Sequence, residues 1–184
     1  MKSQLFYNIL NIEPSLKKYM DIEFERLENE AVKDTIQLYL ERVEQLYTLI
    51  QQWLTAENLV IVSSRVSTIE RQAIYKVTQL TVKTPSEETL AEIKPTSSKV
   101  IVGEGLIEIE GWFGKETLVY MTDGGPQIMK PSRNDRNKQV RVQMYKGIEV
   151  DGWYWIENSR RRRMHLVEPA LFLELITFVS DYEF

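Results

Sequence analysis

A chain of 184 residues, 43% hydrophobic and 27% charged, is long enough to enclose a full core and too apolar to stay disordered. It has no cysteine and a single histidine, His165, which excludes disulfides, thiolate nucleophiles, Cys-ligated zinc, iron–sulfur clusters and every site that needs two histidines from one chain. The formal charge of −4 is unevenly spread: residues 130–163 hold ten Lys/Arg against four Asp/Glu, whereas residues 164–184 hold four acids and no Lys/Arg.

The first residues carry one lysine, Lys2, with no long apolar run behind it, so no signal peptide is expected. No run of about 18 apolar residues predicts a membrane span. With no cysteine, a cytoplasmic address is the expectation.

Leu16, Met20, Phe24, Leu27 and Ala31 recur at helical spacing and predict a helix over 15–32, with Pro14 tolerated in its first turn. Ile36, Leu40, Val43, Tyr47, Ile50 and Leu54 form a stronger stripe, widened by Tyr39, Leu46 and Trp53. Asp34 and Gln37 resemble a capping box, which would begin a second helix there; the absence of Gly and Pro allows one continuous helix instead. Burying six such side chains is worth roughly 9–18 kcal/mol before entropy, so the stripe must meet something. It either packs on the rest of the molecule or forms an interface with a protein partner or a second copy.

From Asn58 the texture turns to β. Leu59–Val62 is a short apolar run, and Ala73–Val82 is rich in β-branched residues. Ser67 and Glu70 could cap a helix over 68–80, but the alternation from Val77 to Thr84 favours a strand. Pro85–Glu88 reads as a turn and Leu90–Lys94 as the returning strand. Val100–Val102 is expected to lead through Gly103 and Gly105 into Leu106–Glu110, followed by a turn at Trp112–Lys115 and a strand at Thr117–Met121. Asp123–Pro126 is a turn, and 130–138 a polar loop. Strands follow at Val140–Tyr145, Trp153–Ile156 and Met164–Val167, then a helix opened by Pro169 with Leu171, Leu175, Phe178 and Val179 on its apolar side, broadened by Phe172 and Ile176. The class is α+β: amphipathic N-terminal helices over 1–57, then an antiparallel sheet or small barrel over 58–184 that ends in a short helix.

The residues with the clearest chemistry are Trp153 and Trp155 beside Arg160, Arg161, Arg162, Arg163 and His165. Aromatic faces next to guanidinium groups can stack bases and neutralise phosphates. A two-residue Asn158–Ser159 turn would place the tryptophans with Arg160 and Arg162; a three-residue turn would place them with Arg161, Arg163 and His165. Lys130, Arg133, Arg136 and Lys138 add four cations in the preceding loop. These features predict a non-enzymatic interaction protein that binds another macromolecule through a basic-aromatic hairpin, through the helical stripe, or both. A nucleic-acid-binding module is the alternative, and a hydrolase built on Glu108 and Glu110 is a third reading. No cofactor, metal site or small-molecule ligand is expected. Gly103-x-Gly105 lacks the third glycine of a phosphate loop, and Gly124–Gly125 has no Lys-Ser/Thr and no following helix.

Overall fold

A computed structural model describes residues 14–70, 73–132, 137–158 and 162–184. One helix, α1, runs from Pro14 to Ala56, with no break at Asp34. Beyond Pro14 it holds neither Gly nor Pro, so nothing interrupts the backbone ladder. It ends on Asn58, whose left-handed φ of 60° turns the chain while the Leu59 N–H donates to the Leu54 carbonyl at 3.0 Å.

The chain divides into two compact units, one up to Gln37 and one from Leu38 to Phe184. In the first, Tyr19, Ile22, Phe24 and Leu27 are exposed on the helix surface, and Arg26 bonds Glu23 and Glu30 along it.

The second unit is built on a seven-stranded antiparallel sheet: β1 Val60–Glu70, β2 Ala73–Lys83, β3 Thr89–Ser97, β4 Leu106–Glu110, β5 Lys115–Met121, β8 Gly152–Asn158 and β9 Arg163–Leu166, side by side in that order. Between β5 and β8 the chain makes a separate two-stranded hairpin, β6 Gln127–Pro131 with β7 Gln139–Gln143. Helix α2, Pro169–Ser180, closes the unit, with Pro169 in its first turn and Asp181 in the left-handed conformation at its end.

Alternation decides which face is buried. Leu80 and Val82, Ile93, Ile107 and Ile109, Leu118 and Trp153 share a core with Tyr39, Val43, Leu46, Tyr47, Ile50 and Leu54 of α1 and with Phe172, Leu175, Ile176 and Val179 of α2. Two buried tyrosines tie α1 to strand backbones: the Tyr39 hydroxyl donates to the Leu106 carbonyl at 2.7 Å and that of Tyr47 to Ile93 at 3.0 Å. Burial pushes both hydroxyls' pKa values up. On the opposite face Val119, Met121, Tyr154 and Met164 form a smaller cluster with Ile148.

The strand expected over Ala73–Val82 is present as β2, and in place of the rival helix over 68–80 the described residues belong to the end of β1 and to β2. Three expectations are corrected. Val100–Val102 forms no strand: Val100 bridges Gly103 within a tight turn and Ile101 projects fully into solvent, while β3 pairs directly with β4. The supposed loop from 130 begins inside strand β6. On α2, Phe178 is partly exposed, and the buried side is Phe172, Leu175, Ile176 and Val179.

Candidate macromolecule-binding surface

Trp153, on β8, is 6% exposed and belongs to the main core. Its indole N–H donates to the Arg42 carbonyl at 3.3 Å, and its ring meets the edge of Tyr120 with centroids 5.5 Å apart. Arg42 lies over the Tyr120 ring, 3.9 Å from its centroid, and pairs with Glu104 at 2.9 Å. This tryptophan is therefore a structural anchor, closed to a stacked ligand.

Trp155 is half-buried on the same face. Its indole N–H donates to Glu116 Oε2 at 2.7 Å, and its ring lies 6.1 Å from His165 and 6.3 Å from Phe178. His165 sits directly opposite it across the β8–β9 ladder, and His165 Nε2 is 2.9 Å from Glu157 Oε2. His165 thus shares a face with Trp155, and a bulge after Ile156 brings Asn158 opposite Arg163; residues 159–161, on which the two turn readings differ, lie outside the described residues. Next to His165, Glu168, Leu171 and Glu174 line an open cleft of about 480 Å³. Among the described residues no group of His, Asp and Glu is arranged to hold a metal ion.

The cations are placed differently from the tryptophans. Lys130, Lys138, Arg141, Lys146, Arg162 and Arg163 are all exposed. Among the described residues none of the six makes an ion pair. Arg133, Arg136, Arg160 and Arg161 lie outside the described residues. Lys130 and Arg141 stand on the β6–β7 hairpin, with Met129 opposite Arg141 and Val140 opposite Lys130, so each face of this arm carries one cation and one exposed apolar side chain. Met144, next after β7, donates its N–H to the Pro126 carbonyl at 2.8 Å and closes the base of the arm. Two residues later the Lys146 N–H donates to the Arg162 carbonyl at 2.8 Å, and Met164 N–H returns a bond to Lys146 at 2.9 Å. The backbone thereby brings the foot of the arm to the Arg162–Arg163 rim of the β8–β9 hairpin. Arg141 and Lys146 were not singled out in the sequence, where each is an isolated cation.

The helical stripe is built into the fold. Val43, Tyr47, Ile50 and Leu54 are core residues, Leu40 packs against them in part, and Ile36 is buried. Glu108 and Glu110 do share a face, but both bond Lys115, at 3.0 and 3.3 Å, and hold its amine pKa up through those hydrogen bonds. That is charge pairing on a solvated strand face.

One exposed aromatic pair went unmarked in the sequence. Trp112 is 73% and Phe113 64% exposed at the β4–β5 turn. Their backbone is fixed: Phe113 and Gly114 N–H both donate to the Val179 carbonyl, at 2.9 and 3.2 Å, and Trp112 Nε1 donates to the Ser180 carbonyl at 2.6 Å. Two adjacent aromatics between glycines read simply as turn chemistry, and nothing in their spacing signals the clamp.

No helix among the described residues is long and apolar enough to cross a membrane. No protein-family model matches this chain, and no curated protein or solved structure is significantly similar to it.

Proposed function

We propose that this chain is a non-enzymatic accessory protein, acting in the cytoplasm, that holds another macromolecule through the β6–β7 arm and the adjoining Arg162–Arg163 rim. The observation that carries the reading is that six exposed cations without an ion-pair partner among the described residues stand together, three on a hairpin whose strands pair only with each other and three on the rim that its foot meets. A hairpin of this size is marginal in isolation, and solvated cations contribute little to folding. An anionic partner surface gives both a use.

The test is capture from a cell extract at low ionic strength, comparing the wild-type chain with Lys130→Glu/Arg141→Glu/Lys146→Glu/Arg162→Glu. Loss of the captured macromolecule in the reversed variant, with an unchanged melting temperature, is expected. Equal capture by both chains would overturn the reading.

The same cations also favour a second reading, nucleic-acid binding. Trp153 is closed in the core and Trp155 half-buried, so this reading rests on phosphate contacts rather than on those two rings as a stacking platform. It expects affinity for a labelled single-stranded or structured oligonucleotide that falls linearly in log–log form with salt, with a shallower slope after each lysine or arginine is removed.

A further inference from the structure

The register of the sheet collects a second surface. The α1–β1 connection, the β2–β3 turn, the β4–β5 turn and the end of α2 lie at one end of it, because Val60 pairs with Lys83, Glu92 with Glu110, and Phe113 and Gly114 bond Val179. This end carries exposed Glu57, Glu88, Asp181 and Glu183. Its two lysines are already engaged, Lys83 by Glu87 at 3.0 Å and Lys115 by Glu108 and Glu110. The last turn of α2 contains no basic residue, so the negative end of the helix dipole adds to the acids. In the middle stand Trp112 and Phe113, with Phe184 also exposed and stacked edge-on against Tyr182 at 5.2 Å.

Rigidly displayed Trp and Phe side chains inside a polar rim are the usual anchors of a protein interface, because little conformational freedom remains to be lost on docking. The acidic rim requires a cationic occupant, and guanidinium or ammonium groups are attracted to exposed indole and phenyl faces. The chain itself presents such an occupant. The arm offers Met129 with Arg141 on one side and Val140 with Lys130 on the other.

We infer that the acidic-aromatic end around Trp112 and Phe113 receives the basic β6–β7 arm of a second copy of this chain. The inference rests on the reading of the arm as a binding element and names the partner it takes. The contact is heterologous, since the two surfaces differ. A pair of copies keeps one surface of each kind free, so association is open-ended unless the rotation closes a ring.

The experiment uses the full chain in three forms: wild type, a knuckle variant Trp112→Ser/Phe113→Ser, and an arm variant Lys130→Glu/Arg141→Glu. Mass is measured by sedimentation over a concentration series. Wild type is expected to self-associate with concentration, at least tenfold more weakly at about 0.3 M than at about 0.05 M salt. Each variant alone is expected to remain monomeric. An equimolar mixture of the two is expected to form a one-to-one complex and nothing larger, because one intact surface of each kind remains. Trp112 also bonds Ser180, so Phe113→Ser alone is included and is expected to weaken association without lowering the melting temperature. A monomeric wild type at low salt, or variants that associate as wild type does, would overturn the inference. If a monomeric wild type still captures nucleic acid or another protein through the arm, only the identity of the partner fails. If it captures nothing, the reading of the arm fails as well.

Discussion

Glu70 shows how one carboxylate fastens the far end of a hairpin. It accepts the Tyr75 hydroxyl at 2.9 Å, the Ser97 hydroxyl at 3.0 Å and the Ser98 N–H at 2.8 Å, tying the β1–β2 tip to the end of β3. Burial acts to raise its pKa, but these donors favour the charged form and the net shift is downward. A glutamate more acidic in the folded than in the unfolded chain stabilises the fold fully above the unfolded pKa. That contribution disappears as pH falls through the folded value. Glu70→Gln is therefore expected to lower stability by about 0.5–1 kcal/mol at neutral pH, a modest effect because the carboxylate is partly solvated. Denaturant midpoints of variant and wild type should converge as pH drops below the ordinary glutamate range. A difference that persists in acid would assign Glu70 a packing role instead. Gly111 is a second residue with a sharp requirement. A Cβ there would stand 2.3 Å from the Val179 carbonyl oxygen and 2.7 Å from that of Leu90, both backbone atoms unable to yield. Gly111→Ala is expected to cost about 1–3 kcal/mol, a melting-temperature drop of roughly 2–12 °C for a chain of this size. At Gly114 the nearest atom is 3.7 Å away, so the same change there should be close to neutral.

Among the elements, α1 separates two behaviours within one continuous helix. Val43 and Ile50 face the core, so Val43→Asp or Ile50→Asp places an unpaired charge there and is expected to cost about 3–5 kcal/mol, a melting-temperature drop of roughly 6–20 °C. Phe24 is exposed, and Phe24→Asp should leave stability within about 0.5 kcal/mol of wild type. Circular dichroism melts of the three variants decide between this assignment and an external role for the 36–54 stripe, under which the core variants would stay folded. The stripe itself was legible, because spacing reports that a face is apolar. What covers the face depends on strands distant in sequence, which spacing does not report. The same limit explains the tryptophans: residues 153 and 155 must share a face of β8, but alternation is silent on which face the helices cover. Val100–Val102 misled because a β-branched run fits a strand, whereas here Gly103 and Gly105 bend the chain and leave Ile101 in solvent. Strand β6 was missed for the opposite reason. It is mostly exposed, so no alternation of burial marks it.

Within the second unit, exposed Glu57, Glu88, Asp181 and Glu183 stand around the end of α2 and the turns near it, while Lys130, Lys138, Arg141, Lys146, Arg162 and Arg163 stand on the arm and its adjoining rim without an ion pair among the described residues. Pairing those cations with the chain's own acids would have added little stability, and leaving them apart preserves a directed electrostatic field. If the arm serves binding and not folding, the rest of the unit should fold without it. The base of the arm is already closed by the Met144–Pro126 backbone bond, and Asp123 is held separately by Asp151 at 2.8 Å. Replacing residues 128–142 with a short glycine-containing turn should therefore preserve one cooperative unfolding transition. The half-buried Ile128 and Val142 side chains are lost, which costs about 1 kcal/mol, or roughly 2–4 °C. The excised chain should bind far more weakly and with a shallower salt dependence, while unfolding almost as the wild type does. Calorimetry together with a binding titration checks both halves. A collapse of the transition would make the arm part of the folding unit, and its exposed cations would then be the solvated face of a structural element.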